Sequence, residues 1–273
     1  MQGWLAALAP SVALGVVQGV TEWLPISSKT QILMTSYILL HLGLSAGYVF
    51  GLFMEIGTVF SAVVYFWRDI VRILTSDWRM LAYIVVATVF TGLVGAPLYL
   101  LSERALEGHY NPGIPMLVLG AVLIADGIYI HYSRAYLRKM KGARDLGLRD
   151  VILVGLMQGL AALPGVSRSG MTVSTMLILG YRPEDAFRFS YLLYIPAALG
   201  AFGLTLLASR GSIGAVASSL GLPGLLTSVV VAFLVGVLTI DLLLRFARRQ
   251  RAYVVNYFLG ALAIAFSLAL VLS

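Results

Sequence analysis

The feature that most constrains this chain is its alternation of long apolar runs with brief polar breaks. Runs near residues 46–67, 79–100, 113–133, 187–208, 224–244 and 252–272 each approach the ~20 residues an α-helix needs to cross a bilayer. The chain is 60% hydrophobic and 11% charged, where a soluble domain carries about 25% charged residues. Helices satisfy their own backbone groups in lipid. The sequence therefore predicts an all-α integral membrane protein.

Four shorter apolar stretches form two broken pairs. Residues 4–22 and 29–42 are split at Trp23–Ser28, which contains Pro25; residues 151–163 and 169–181 are split at Pro164–Ser169. These stretches predict two re-entrant helical hairpins, because irregular backbone at membrane depth survives only inside protein or beside a wet cavity. Three long runs follow each pair. Gly15-Val-Val-Gln18-Gly19-Val followed by Leu24-Pro25 also resembles Gly155-Leu-Met-Gln158-Gly159-Leu followed by Leu163-Pro164. The expected organisation is a single transmembrane domain of two repeats, 1–133 and 151–273, joined by a basic loop, 134–150. A re-entrant pair returns to its own side and three spans then cross. The second repeat thus enters from the opposite face, giving an inverted-topology repeat with its site near the midplane.

Basic residues orient this arrangement. If the 133–150 loop is cytoplasmic, 15 of the 19 Lys and Arg residues fall on that side, in 68–79, 133–150, 182–188 and 245–251. Lys29 and Arg168 lie in the broken pairs, and Arg104 and Arg210 in opposite loops. This is the positive-inside pattern, and it accounts for the net charge of +7 without nucleic acid. The expectation is a multi-pass protein of the cell membrane with both termini outside. Met-Gln-Gly-Trp lacks the positive start of a signal peptide, so the first segment is read as uncleaved. Without cysteine there is no thiolate metal site and no thiol nucleophile.

The polar residues of the broken pairs carry the candidate chemistry. Ionisable groups at membrane depth mark functional sites by default. Gln18 and Glu22 are four apart, on one helix face. Ser27 and Ser28 follow Pro25 and suit the cap of the next half-helix; the residues alone leave open whether they do more. A buried carboxylate costs several kcal/mol unless paired, which singles out Glu22. The second break reads Pro164-Gly165-Val166-Ser167-Arg168-Ser169-Gly170-Met171-Thr172. Arg168 falls at a half-helix start, where free N–H groups favour an anion, and its planar fork suits phosphate oxygens. Ser167, Ser169 and Thr172 add donors. The alternative is an Arg168 paired only to Glu22 or Glu55 as glue between repeats. Mid-span Glu55 either shares the same cavity or is a protonated structural carboxyl. Asp126 is within reach of a loop arginine, and Asp241 is expected to pair with Arg245. His41, His109 and His131 lack metal-ligand spacing. Trp67, Trp78, Tyr99 and Tyr132 sit where interface anchors are expected. Glu22 and Glu55 balance Lys29 and Arg168, so a bound diphosphate would leave an excess of negative charge. That excess argues for a divalent cation, Mg²⁺ or Ca²⁺, held by Glu22 and bridging phosphate oxygens.

Gln18-Gly-Val-Thr-Glu-Trp-Leu-Pro-Ile-Ser-Ser28 together with Pro164-Gly-Val-Ser-Arg-Ser-Gly-Met-Thr172 resembles the undecaprenyl-diphosphate phosphatase family, of the bacitracin-resistance type. The resemblance covers the whole chain, including the Gly57 to Trp67-Arg68 segment. It implies two re-entrant hairpins in inverted repeats and a membrane enzyme that regenerates the monophosphate carrier lipid of envelope synthesis. It implies Glu22 as the essential glutamate and Gln18 at a Glu-or-Gln position. Ser27 and Ser28 match the serine pair, with Ser28 as nucleophile or phosphate contact. Arg168 matches the catalytic arginine, flanked by Ser167, Ser169 and Thr172. The implied partner is a polyprenyl diphosphate lipid, and a homodimer is admissible. The chain departs from the bacterial Ser-Ser-x-Gly-His pattern: Gln31 stands at the histidine position. Lys29 adds a cation for phosphate, and Glu55 stands where Gln is usual. These departures point to a divergent, archaeal-type branch. The rival expectation is a transporter or flippase of a lipid phosphate or small anion, since broken helices in inverted repeats also build carriers.

Overall fold

The computed structural model describes residues 2–106, 113–134, 141–249 and 253–272. Among them are eleven α-helices and no strand, apart from one isolated bridge between Lys141 and Tyr181. In chain order the helices are α1 (Gln2–Thr21), α2 (Ser28–Leu40), α3 (Leu44–Tyr65), α4 (Trp67–Thr75), α5 (Trp78–Leu106), α6 (Gly113–Ser133), α7 (Leu148–Gly159), α8 (Arg168–Ile178), α9 (Pro183–Ala208), α10 (Arg210–Arg249) and α11 (Tyr253–Leu272). By length and composition α3, α5, α6, α9 and α10 can each cross a membrane. The apolar runs of the sequence thus became helices, and both proline-bearing breaks became turns. His109 lies outside the described residues.

Four details differ from expectation. The 68–79 segment, expected as a loop, contains α4. Trp67, Val71 and Leu74 are exposed along one side of it, the i, i+4, i+7 spacing of an amphipathic stripe, while Arg68, Asp69 and Arg72 supply its charge. Helix α10 begins at Arg210 rather than near 224, and it is broken at Gly221, whose φ of 65° is left-handed. Pro223 follows, as prolines commonly do after a left-handed helix stop. Helix α1 has 20 residues, about 30 Å at 1.5 Å per residue, and is longer than a half-helix requires. Tyr99, expected as an interface anchor, is buried and packs against Tyr48, tilted, with ring centroids 5.9 Å apart. Trp67, Trp78 and Tyr132 are exposed, as anchors should be.

Helix pairs from the two halves lock together through glycine. Lipid supplies no hydrophobic drive between helices, so close backbone approach over small residues does the work. Helix α1 packs on α10, and α7 packs on α5. A Cβ on Gly15 would stand 2.7 Å from the Ser228 carbonyl oxygen; one on Gly155 would stand 2.5 Å from that of Ala87. The repeated Gly-x-x-Gln-Gly pattern therefore makes the same kind of crossing twice. Helices α6 and α11 cross reciprocally. A Cβ on Gly120 would meet Ile264 and the Gly260 carbonyl, and one on Gly260 would meet Ile124 and the Gly120 carbonyl.

Candidate functional site

Two helix N-termini meet inside the bundle. In the first turn α1 ends at Thr21, and Glu22 still donates its N–H to the Gln18 carbonyl at 3.1 Å. Pro25 has no N–H to continue a helix, so the chain turns and α2 starts at Ser28, with Ser27 at the N-cap position. Ser27 makes no side-chain cap bond there; its hydroxyl instead accepts from Thr30 Oγ1 at 3.0 Å. In the second turn Gly165 adopts φ 96°, a left-handed angle suited to glycine. Ser167 caps α8 by accepting the Gly170 N–H at 3.1 Å. That places Arg168 at the first position of α8.

Between the turns lies a small polar cavity lined by Glu22, Ile26, Ser27, Ser28, Lys29, Ser167, Arg168 and Ser169. Seven of the residues singled out from sequence line it together. Glu22 is the hub. It accepts from Arg168 Nη2 at 2.5 Å, Ser28 Oγ at 2.7 Å and Gln18 Nε2 at 2.9 Å. Ser28 therefore points at a carboxylate rather than serving only as a cap. The Arg168 guanidinium lies over the Tyr194 ring at 3.8 Å, and its Nε and Nη1 are buried with no acceptor. A charge so placed calls for an anion, because a buried unpaired polar group costs free energy. Two helix N-termini supply further partial positive charge at the same place. Arg168 does pair with Glu22, as the glue alternative required, yet that pair uses one of its three nitrogens.

The remaining candidates are placed around this centre. Lys29 Nζ lies 3.6 Å from Glu55 Oε1, and both side chains are buried. The two ion pairs, Arg168–Glu22 and Lys29–Glu55, join charges that the sequence showed to balance. Gln18 stands behind Glu22 and also donates to Thr58 Oγ1 at 3.3 Å. Thr172 lies one turn into α8. Its hydroxyl donates to the Arg168 carbonyl at 3.0 Å and contacts Ser190 Oγ at 2.5 Å, and it does not line the polar cavity. Gln31 does not line it either, and its Nε2 is buried without a partner. Asp126 receives the Ser167 N–H and Asn256 Nδ2 rather than a loop arginine. Asp241 pairs with Arg245 at 2.7 Å, as expected. His131 stacks on Tyr253, and His41 ends α2 in a left-handed conformation.

Sequence reasoning missed an aromatic wall. Tyr194 OH contacts Thr58 Oγ1 at 2.7 Å, and Tyr191 OH donates to the Trp23 carbonyl at 2.6 Å. Tyr191 and Tyr194 sit three apart on α9, on one face with Phe187, which was the available signal. A second, larger cavity of about 260 Å³ runs beside the polar one. Lys29, Glu55 and Arg168 border it, and its walls are otherwise mostly small or apolar, including Gly92, Gly95, Ala96, Ala197, Gly200 and Leu204.

A helical membrane protein with two N-termini, a guanidinium and an ammonium around one buried space has an oxyanion-suited polar centre beside an apolar groove. The chain belongs to the bacitracin resistance protein BacA family, whose model matches residues 11–265. It is 54% identical over 261 residues to a protein of Sulfurisphaera tokodaii named undecaprenyl-diphosphatase, covering 96% of this chain and 97% of the relative. A protein of the same name from Saccharolobus islandicus is 51% identical, covering 94% and 96% of the two chains. Another from Pyrobaculum islandicum is 39% identical, covering 93% and 94%.

Proposed function

We propose that the protein is a membrane phosphatase that hydrolyses a polyprenyl diphosphate of the undecaprenyl type to the monophosphate and phosphate, recycling an envelope carrier lipid. The observation that carries this is Arg168 itself. Two of its guanidinium nitrogens are buried without acceptors beside the 2.7 Å Ser28–Glu22 bond. The family and the names of its relatives agree.

Nucleophile and base within hydrogen-bond reach are the mark of an activated hydroxyl. When the terminal phosphate occupies the polar cavity, Arg168 turns its free N–H groups to it, where charge develops. Ser28 Oγ bonds to the terminal phosphorus and passes its proton to Glu22. The phosphoanhydride bond breaks, and the departing lipid monophosphate takes that proton. Water then attacks the phosphoserine, losing a proton to Glu22, and Ser28 leaves and recovers it. Lys29, Ser27, Ser167 and Ser169 hold phosphate oxygens. The polyprenyl tail lies in the neighbouring apolar cavity. Gln18 steadies Glu22, and Glu55 holds Lys29.

A divalent cation, Mg²⁺ or Ca²⁺, belongs to the same proposal. A carboxylate offers about four lone-pair sites and Glu22 accepts three donors, which leaves room for a cation whose other ligands are phosphate oxygens and water. No group of three or more His, Asp or Glu side chains that could hold a metal occurs among the described residues, so such an ion would arrive with the diphosphate and neutralise part of its charge.

The reading extends to architecture. Helices α2, α7 and α8 have 13, 12 and 11 residues, too short for a hydrocarbon core of about 30 Å at 1.5 Å per residue. With α1 they form two re-entrant hairpins, α1–α2 and α7–α8. The matched crossings of α1 on α10 and α7 on α5, and the reciprocal α6–α11 crossing, support an inverted repeat. The loop charges support a reading with both termini outside the cell membrane.

Phosphate release from purified protein and a long-chain polyprenyl diphosphate, with and without a chelator, tests the activity. Arg168→Ala and Glu22→Gln are each expected to lose about 10²–10³-fold or more, the usual effect of removing a charge-stabilising group, while remaining folded. Full activity in both variants overturns the site. Exchange of labelled lipid phosphate across liposomes without release of phosphate would instead assign a transporter.

A further inference from the structure

We propose that Asp126 and Asn256 are positioning residues that hold the two turns at their working separation; the catalytic part of this proposal rests on the phosphatase reading above. Asp126 stands on α6 and Asn256 on α11. Asp126 Oδ2 accepts from Asn256 Nδ2 at 2.9 Å and from the Ser167 N–H at 3.3 Å. Asn256 Nδ2 also donates to the Pro25 carbonyl at 3.4 Å. A two-side-chain bridge thus runs from the carbonyl three residues after Glu22 to the amide one residue before Arg168. Neither residue lines the polar cavity, so both act through the turns they hold.

The bridge has a rigid foundation. Helices α6 and α11 approach so closely at Gly120 and Gly260 that each glycine sits against the other's carbonyl, which fixes the two helix faces that present Asp126 and Asn256. Both side chains are buried, Asp126 at 4% exposure and Asn256 fully. Each also keeps one oxygen, Asp126 Oδ1 and Asn256 Oδ1, buried without a partner. A polar pair maintained at that cost is poorly explained by stability alone, whereas fixing one arrangement is a recognised role for such groups. The distance it controls matters, because a misplacement of about 1 Å at reacting groups costs on the order of 10²-fold in rate. Here the groups are Ser28 and Glu22 on one side and Arg168 on the other.

The test combines kinetics with hydrogen exchange on the full-length protein in detergent. Asp126→Ala and Asn256→Ala each lower kcat about 10–100-fold, the scale of such misplacement, with KM within threefold of the parent. Asp126→Asn, whose amide oxygen can still accept from Ser167, restores kcat to within about threefold. The double alanine variant is no slower than the slower single, because both remove one bridge. Exchange in the 163–169 turn rises in Asn256→Ala, because Asn256 reaches that turn through Asp126. An Asp126→Asn variant as slow as Asp126→Ala would assign proton transfer to Asp126 and overturn the proposal. Parental kcat in folded alanine variants, or unchanged exchange at 163–169 in Asn256→Ala, would overturn it as well. If the parent releases no phosphate, the phosphatase reading fails while the exchange measurement still decides the bridge. Should Asp126→Ala not fold, Asn256→Ala carries both measurements.

Discussion

The two turns that meet at the polar cavity are built differently. The second turn has a glycine and a serine cap of its own, although its Gly165 and Ser167 N–H groups go to Thr30 and Asp126 of the first half. Gly165 takes the left-handed angle, the Val166 N–H returns to the Leu163 carbonyl at 3.2 Å, and Ser167 caps α8. The first turn closes one bond of its own, Leu24 N–H to the Thr21 carbonyl at 3.2 Å, and takes the partners of its next carbonyls from elsewhere. The successive carbonyls of Trp23, Leu24 and Pro25 accept from Tyr191, Ser169 and Asn256, all in the second half of the chain. Its own cap position makes no side-chain cap bond. Each turn also contributes opposite groups: a carboxylate and hydroxyls from the first, a guanidinium and hydroxyls from the second. Neither half can complete the centre alone, and each turn joins bonds of its own to bonds from the other half.

The sharpest way to probe that dependence is the first half's own cation. Lys29 is buried and paired to Glu55 at 3.6 Å. Removing one partner of a buried pair leaves an uncompensated charge and costs about 3–5 kcal/mol, whereas replacing both by apolar or neutral groups is far milder. Glu55→Gln is therefore expected to lower thermal stability in detergent strongly, and Lys29→Met/Glu55→Gln to recover most of the loss. An unchanged melting temperature in the single variant would show that Lys29 is held by something other than Glu55.

How much of this was legible in the sequence follows from what kind of force each feature rests on. Apolar runs and proline breaks are local, so helix positions and both turns could be read directly. Seven cavity residues could be read because ionisable and hydroxyl groups in apolar surroundings stand out one by one. Helix α4 was masked by its charges, although Trp67, Val71 and Leu74 keep a helical period. Tyr191 and Tyr194 look like ordinary apolar filling, and only the fold puts Tyr194 under a guanidinium. Asp126 and Asn256 are single polar residues in separate spans, 130 positions apart; no local period can pair them. Gln31 is singled out by the family's histidine position and Thr172 as a donor of the second motif; neither lines the polar cavity.

A second comparison concerns the crossings that carry the turns. A methyl group on Gly15 of α1 or Gly155 of α7 would stand 2.7 Å or 2.5 Å from a facing carbonyl oxygen, which leaves no space for it. Because the obstacle is backbone in both cases, Gly15→Ala and Gly155→Ala should each cost about 1–3 kcal/mol, the range for overpacking. Denaturation of the two variants side by side measures the equivalence. A large loss in one with none in the other would mean that the two crossings do different work despite their shared pattern.

The finest distinction lies at the caps themselves. Ser167 Oγ accepts the Gly170 N–H, whereas Ser27 makes no side-chain cap bond and accepts from Thr30 Oγ1. Loss of a serine N-cap costs typically about 1 kcal/mol. Ser167→Ala should therefore destabilise the first turn of α8 by about that amount, visible as faster amide exchange at Gly170. Ser27→Ala removes no cap bond and should leave exchange at the start of α2 nearly unchanged, because the backbone there is held by packing and by the other half. Equal effects at both positions would erase the contrast between a turn with a side-chain cap and one without.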